Sequence, residues 1–142
     1  MTMKKFINIL LVALILLDVF YVVVIFSSGQ AWFDLIHDAD YVDPEALLKR
    51  LAAVWTAFTI LQLITLFRWQ HAPHWLMVMA GLRFSESFAD WVYFFGANDH
   101  AWPGAAGLLA ASPINLALGI FFYRAYFRFR TLETAAGRPA PG

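Results

Sequence analysis

Cysteine is absent from this 142-residue chain, which excludes disulfides, thiolate metal sites and cysteine nucleophiles together. Charge is also scarce. Asp, Glu, Lys and Arg make up 14% of the residues, against roughly 25% in an ordinary soluble domain. Acids and bases balance to a formal net charge of zero, and no basic and aromatic strip is present, so nucleic acid is not an expected partner. Neither glycine-rich phosphate-binding pattern, GxxxxGK[ST] or GxGxxG, occurs. No internal repeat is visible.

Apolar residues fill the space that charge leaves. The chain is 61% hydrophobic and 18% aromatic, with a mean hydropathy of +0.64. Four apolar segments approach the ~20 residues that cross a bilayer: residues 6–26, 51–67, 75–95 and 105–123. The expected fold is therefore all-α, an integral membrane four-helix bundle. Its helices are expected at about 6–26, 44–67, 75–95 and 105–127, in one domain covering 1–130. The tail from 131 to 142, ending "TAAGRPAPG", is expected to be disordered. The third segment is the least apolar, but without it the basic C-terminus would face away from the basic N-terminus. Lys4-Lys5 before an apolar run, with "SSGQA" after it, also fits a cleaved signal peptide. That run exceeds the usual ~7–15 apolar residues and contains Asp18, so retention as a helix is the expectation.

Topology follows the basic residues. Lys4, Lys5, Arg68, Arg124, Arg128, Arg130 and Arg138 fall on one side of the four segments, and only Lys49 and Arg50 flank the other. Both termini are thus expected to be cytoplasmic, in a multi-pass protein of a bacterial inner membrane or similar bilayer. The long first outer loop, 27–50, mixes Trp32, Phe33, Leu35, Ile36 and Tyr41 with acids, which suits a segment at the membrane interface. Asp43-Pro44-Glu45 reads as a helix start: N-cap, first-turn proline and a carboxylate at the positive end of the dipole. Trp32, Trp69, Trp75 and Trp102 fall at expected interfaces and read as anchors.

Polar residues recur at similar depth in all four segments: Asp18, Gln62, Arg83 with Glu86 and Asp90, and Asn115. Arg83, Glu86 and Asp90 are spaced i, i+3, i+7 and share one helical face, which Met79 and Tyr93 or Phe94 extend. A charge at the bilayer centre costs at least ~2.5–3.5 kcal/mol on insertion scales, so this face is expected to turn inward. Arginine stays charged and is placed to pair with Glu86. One cation against three acids leaves carboxyls without a counter-charge, and an acid in that position can hold a proton to donate, while ionised neighbours steady a positive charge. The plainer reading is interhelical hydrogen bonding, each bond worth about 0.6–2 kcal/mol. It weighs most for Gln62 and Asn115. Pro113 leaves the carbonyl of Leu109 without its usual donor, and Ser112 is placed to satisfy it.

Metal sites are not expected. His71 and His74 are separated by Pro73 with no carboxylate beside them, and His37 among Asp34, Asp38 and Asp40 reads as an acidic outer face. No cofactor is expected.

The stretch "FRWQHAPHWLMVMAGLRFSESFADWVYFF", with "LLDVFYV" in the first segment and "SPINLAL" in the fourth, resembles the EXPERA-domain proteins, and among them the emopamil-binding-protein type of sterol isomerase. The elements carrying the resemblance are the proline turn "QHAP", Glu86, Asp90, Tyr93-Phe94, Asn115 and Asp18. The family's enzymes also use a histidine one turn before the first-helix acid, where this chain has Leu14. They use a glutamate early in the second helix, where it has Lys49 and Arg50. The resemblance implies a lipid-like, sterol or isoprenoid ligand and isomerisation by proton transfer.

These readings combine into a membrane protein with a polar midplane pocket for a hydrophobic or cationic-amphiphilic small molecule. Asp90, Glu86 and Asp18 are the expected catalytic acids, and Arg83, Asn115, Gln62 and Tyr93 the expected ligand-binding groups. The alternative is a non-catalytic accessory subunit of a larger membrane complex, or a homodimer. A proton-coupled transporter is a third reading, which lacks the inverted repeat it would need.

Overall fold

The computed structural model describes residues 1–36, 47–96 and 101–135. Every element among them is helical: α1 (Met3–Ile36), α2 (Leu47–Arg68), α3 (Trp75–Gly96) and α4 (Trp102–Ala135). α1 pairs extensively with α2 and α3 with α4, while contacts of α2 with α3 and of α1 with α4 are sparse. The bundle is thus two helical hairpins laid together.

Local chemistry sets the helix ends. The Thr2 hydroxyl accepts from the Lys5 amide, capping α1. At the α2–α3 turn, Pro73 supplies a carbonyl to the Leu76 amide at 2.9 Å. Pro103 sits in the first turn of α4, where its missing N–H breaks no helical bond. Within α2 the hydroxyls of Thr56, Thr59 and Thr65 each donate to the carbonyl four residues back, at 2.8–2.9 Å. An apolar helix therefore carries them without exposing free polar groups.

Two helices exceed their expected bounds. α1 continues past residue 26 to Ile36, broken at Ser28, whose φ of −149° and ψ of 42° leave the helical region. Beside the break, Ser27 Oγ donates to the Val23 carbonyl at 2.7 Å, a back-bond that commonly accompanies bends. α4 continues to Ala135, so residues 131–135 are helical instead of belonging to the tail. Residues 136–142 and the Asp43-Pro44-Glu45 start lie outside the described residues.

Three helices contain stretches long and apolar enough to cross a membrane: Met3–Ser28, Lys49–Arg68 and Trp102–Leu132. Their outward surfaces suit lipid, with Leu16, Phe20, Phe26, Ile60, Phe67 and Ile114 all exposed. The buried core lies toward the end where α1 begins. There Ile7, Leu11 and Leu14 meet Trp69, Leu76, Met79, Ala80, Phe122 and Ala125. Trp69, expected to anchor at the interface, is instead a core residue. It is buried, donates from Nε1 to Asn8 Oδ1 at 2.8 Å, and meets the Phe129 ring edge-on at 5.1 Å. It packs against α1 and α4 at the end of α2, so interfacial depth along the sequence does not mean lipid contact. Trp102, by contrast, is exposed at the opposite end.

Candidate functional site

Just beyond the apolar core, all four helices contribute polar side chains to one cluster. On α1, Asp18 follows Leu11 and Leu14 along the inward face. On α2, Gln62 and Thr65 occupy that face, and on α3 Arg83 and Ser87 continue the row begun by Leu76, Met79 and Ala80. Asp18, Gln62 and Arg83 are all at most 2% exposed. Helical periodicity turns the stripes inward.

Arg83 is the hub. Its Nη1 lies 2.7 Å from Glu86 Oε2, one turn along α3, and 3.4 Å from Asn115 Oδ1 on α4. Its Nη2 lies 3.9 Å from Asp18 Oδ2 on α1. That same Asp18 oxygen accepts from Gln62 Nε2 of α2 at 2.6 Å. Asp90 shares a hydrogen bond with the Asn115 side chain. Six of the seven residues singled out in the sequence thus converge. The seventh, Tyr93, is half-buried three residues beyond Asp90.

The reading of Asp18 as an acid without a cation is corrected here. Gln62 of the adjacent α2 and the long Arg83 side chain of α3 both face it. Ser112 is corrected as well: its hydroxyl lies 2.9 Å from Ser87 Oγ and donates to the Ser87 carbonyl at 3.0 Å, joining α4 to α3. α4 passes through Pro113 without a break in helical assignment.

Two features of the cluster govern its chemistry. Arg83 is the one buried cation among the described residues, facing Asp18, Glu86 and Asp90. In addition, Gln62 Oε1, Arg83 Nε and Nη2, Glu86 Oε2 and Asp90 Oδ2 are buried without a hydrogen-bond partner in the protein. Glu86 Oε2 reaches Arg83 by distance but lacks hydrogen-bond alignment. Native folds leave only a few such atoms per hundred residues, and each costs about 1–3 kcal/mol. Their concentration in one cluster marks it as unusual.

Burial is graded along the bundle. Toward α1's start the cluster rests on Leu11, Leu14, Met79 and Ala80, all buried. Away from it, Glu86, Asp90 and Tyr21 are only half-buried. Tyr21, not singled out from sequence, sits one turn beyond Asp18, stacks on Trp55 of α2 at 5.6 Å and lies within electrostatic reach of all three acids. The i, i+3 rule applied to Asp18 points to it. Ser87, four residues after Arg83, was legible in the same way.

His71 and His74 are both exposed in the α2–α3 turn, and His37 lies outside the described residues. Comparison with known protein families, curated proteins and solved structures finds no match for this chain.

Proposed function

We propose that the chain is a four-span integral membrane protein whose mid-bundle cluster binds a lipid-like ligand, isoprenoid or sterol-like in its apolar part. The observation that carries this is the cluster itself: five buried polar atoms without a hydrogen-bond partner in the protein, two of them in ion pairs, and three acids around one arginine, contributed by four helices. A structural network would satisfy its members internally; this one has hydrogen-bonding capacity left over for a ligand.

α3 belongs in the membrane on this reading. Its charges face inward, while Phe84, Phe88, Val92 and Phe95 form an exposed apolar row on the other side. An even number of spans leaves both termini on one side, and the basic residues favour the cytoplasm of a bacterial inner membrane. The ligand enters from the end bearing Glu86, Asp90 and Tyr21, because the apolar core closes the other. The chemistry such a cluster offers is proton transfer, with Asp90 giving or taking the proton and Glu86 and Asp18 steadying positive charge. The resemblance to sterol isomerases is in keeping with that chemistry.

A second reading is favoured by the same convergence: a non-catalytic subunit, in which the network fixes helix packing and the Phe84–Phe95 row meets a partner chain.

Thermal unfolding in mild detergent separates the two readings, with farnesol, cholesterol or N,N-dimethyldodecylamine as probes. The ligand reading expects at least one probe to stabilise the wild type, and Asp90→Asn to fold with that response lost. If no probe acts on the wild type, or if Asp90→Asn fails to fold, the ligand reading gives way to packing.

A further inference from the structure

Four contacts level the helices at the end where α1 starts. Phe6 meets Phe121 edge-on at 5.4 Å, tying α1 to α4. Trp69 bonds Asn8 and meets Phe129, tying the α2–α3 turn to both. Leu76, at the start of α3, joins the same buried core. The consequence is a ring of cations. Lys4 and Lys5 on α1, Arg68 at the end of α2, and Arg124 and Arg128 on α4 are all exposed around this one end. Arg130, bonded to the Tyr126 hydroxyl at 3.3 Å, lies two residues further along α4.

Among the described residues, none of the five is in an ion pair. The salt bridges among the described residues belong to Arg83. Of the acids on α1 and α4 among the described residues, Asp18 is buried well inside the bundle, Asp34 lies near the far end of α1, and Glu133 is in the last turn of α4. Beside Arg124 and Arg128, the rings of Tyr123 and Phe127 are exposed on the same helix. α4 runs 12 residues past Tyr123 to Ala135, about 18 Å at the helical rise. Cations interleaved with exposed aromatics at the end of an apolar bundle are the composition of a headgroup-level surface.

We propose that this ring is a binding surface for anionic phospholipid, with the lipid phosphate held between Lys4–Lys5 of α1 and Arg124–Arg128 of the neighbouring α4. Charge complementarity selects the occupant. Five exposed cations with no ion pair among the described residues favour a phosphate, and the adjoining apolar faces of α1 and α4 (Phe6, Ile9, Ile120) favour the acyl chains of a lipid over a free anion. The surface is distinct from the mid-bundle cluster and does not depend on what binds there.

Native mass spectrometry of detergent-solubilised protein with added phosphatidylglycerol or phosphatidylcholine tests this. The wild type retains phosphatidylglycerol preferentially, and raised salt weakens the preference. The variant K4Q/K5Q/R124Q/R128Q loses it by roughly tenfold or more, each basic side chain near an anionic headgroup contributing several-fold. The opposite-end variant K49Q/R50Q keeps it. Equal retention of the two lipids by the wild type overturns the proposal, as does equal loss in both variants. These side chains are exposed, so the substitutions leave the fold intact, and detergent removes any effect of insertion direction.

Discussion

Replacing Arg83 by methionine removes the one buried cation of the cluster while keeping much of its apolar stem. The expected loss follows from what the guanidinium faces. Glu86 lies 2.7 Å from Nη1, Asp18 lies 3.9 Å from Nη2, and Asn115 bonds Nη1 at 3.4 Å. Removing one partner of a buried ion pair costs about 3–5 kcal/mol, because the surviving charge is stranded. Glu86→Gln alone should cost less, below about 2 kcal/mol, since Asp18 still faces Arg83 and the glutamine keeps a polar oxygen beside the guanidinium. The double variant R83M/E86Q removes both charges and leaves Asp18 held by Gln62 at 2.6 Å. It should therefore be more stable than R83M alone, with an interaction energy of about 1–3 kcal/mol. Unfolding by sodium dodecyl sulfate titration from mild detergent micelles, followed by tryptophan fluorescence, gives all three free energies. Additive effects, or an R83M variant as stable as the wild type, would refute the view that Arg83 neutralises the cluster.

Two further substitutions test the packing that holds the site. A Cβ at Gly119 would lie 2.5 Å from the Phe84 ring, so Gly119→Ala should destabilise the α3–α4 hairpin by about 1–3 kcal/mol; adding Phe84→Ala should relieve the clash, and a neutral Gly119→Ala would show that the ring moves aside freely. Trp69→Phe keeps an aromatic ring against Phe129 but removes the donor to Asn8, for an expected loss of about 1–3 kcal/mol in the same unfolding assay. No measurable loss would return Trp69 to the role of an interfacial anchor.

Much of this arrangement was legible in the residues because lipid punishes charge. Asp18, Gln62, Arg83, Glu86 and Asp90 could be placed on inward faces from spacing and cost alone, and the Arg83–Glu86 pair follows from the i, i+3 interval. Pairings between helices were not legible. Nothing in the order of residues says that the Arg83 side chain reaches across the bundle to face Asp18, or that Ser112 turns to Ser87 instead of the Leu109 carbonyl. Those depend on helix rotation, which packing decides. Trp69 was misread for a related reason: depth can be counted along a chain, but packing against α1 and α4 cannot. The extensions of α1 and α4 were missed because apolar length predicts the membrane-spanning part of a helix, and helices can continue in water or at the interface beyond it.

The low hydropathy of α3 and the existence of the cluster are one fact. α3 carries three charges on one face and Phe84, Phe88, Val92 and Phe95 on the other. Alone in lipid, such a helix exposes every one of those charges, at a few kcal/mol each on insertion scales. Inside the bundle, Asp18 and Asn115 receive Arg83, Asn115 receives Asp90, and the apolar row stays on the outer surface. On the proposed membrane reading, the stability of α3 is therefore conditional on α1 and α4, and the condition is met through the site itself. A protein in which these charges served packing alone would be more stable with apolar residues in their place, since neutral replacements of a buried pair are often neutral or stabilising. That this chain keeps three acids on one arginine, with buried polar atoms left without a hydrogen-bond partner in the protein, is the physical reason to look for a ligand there before looking for a partner chain.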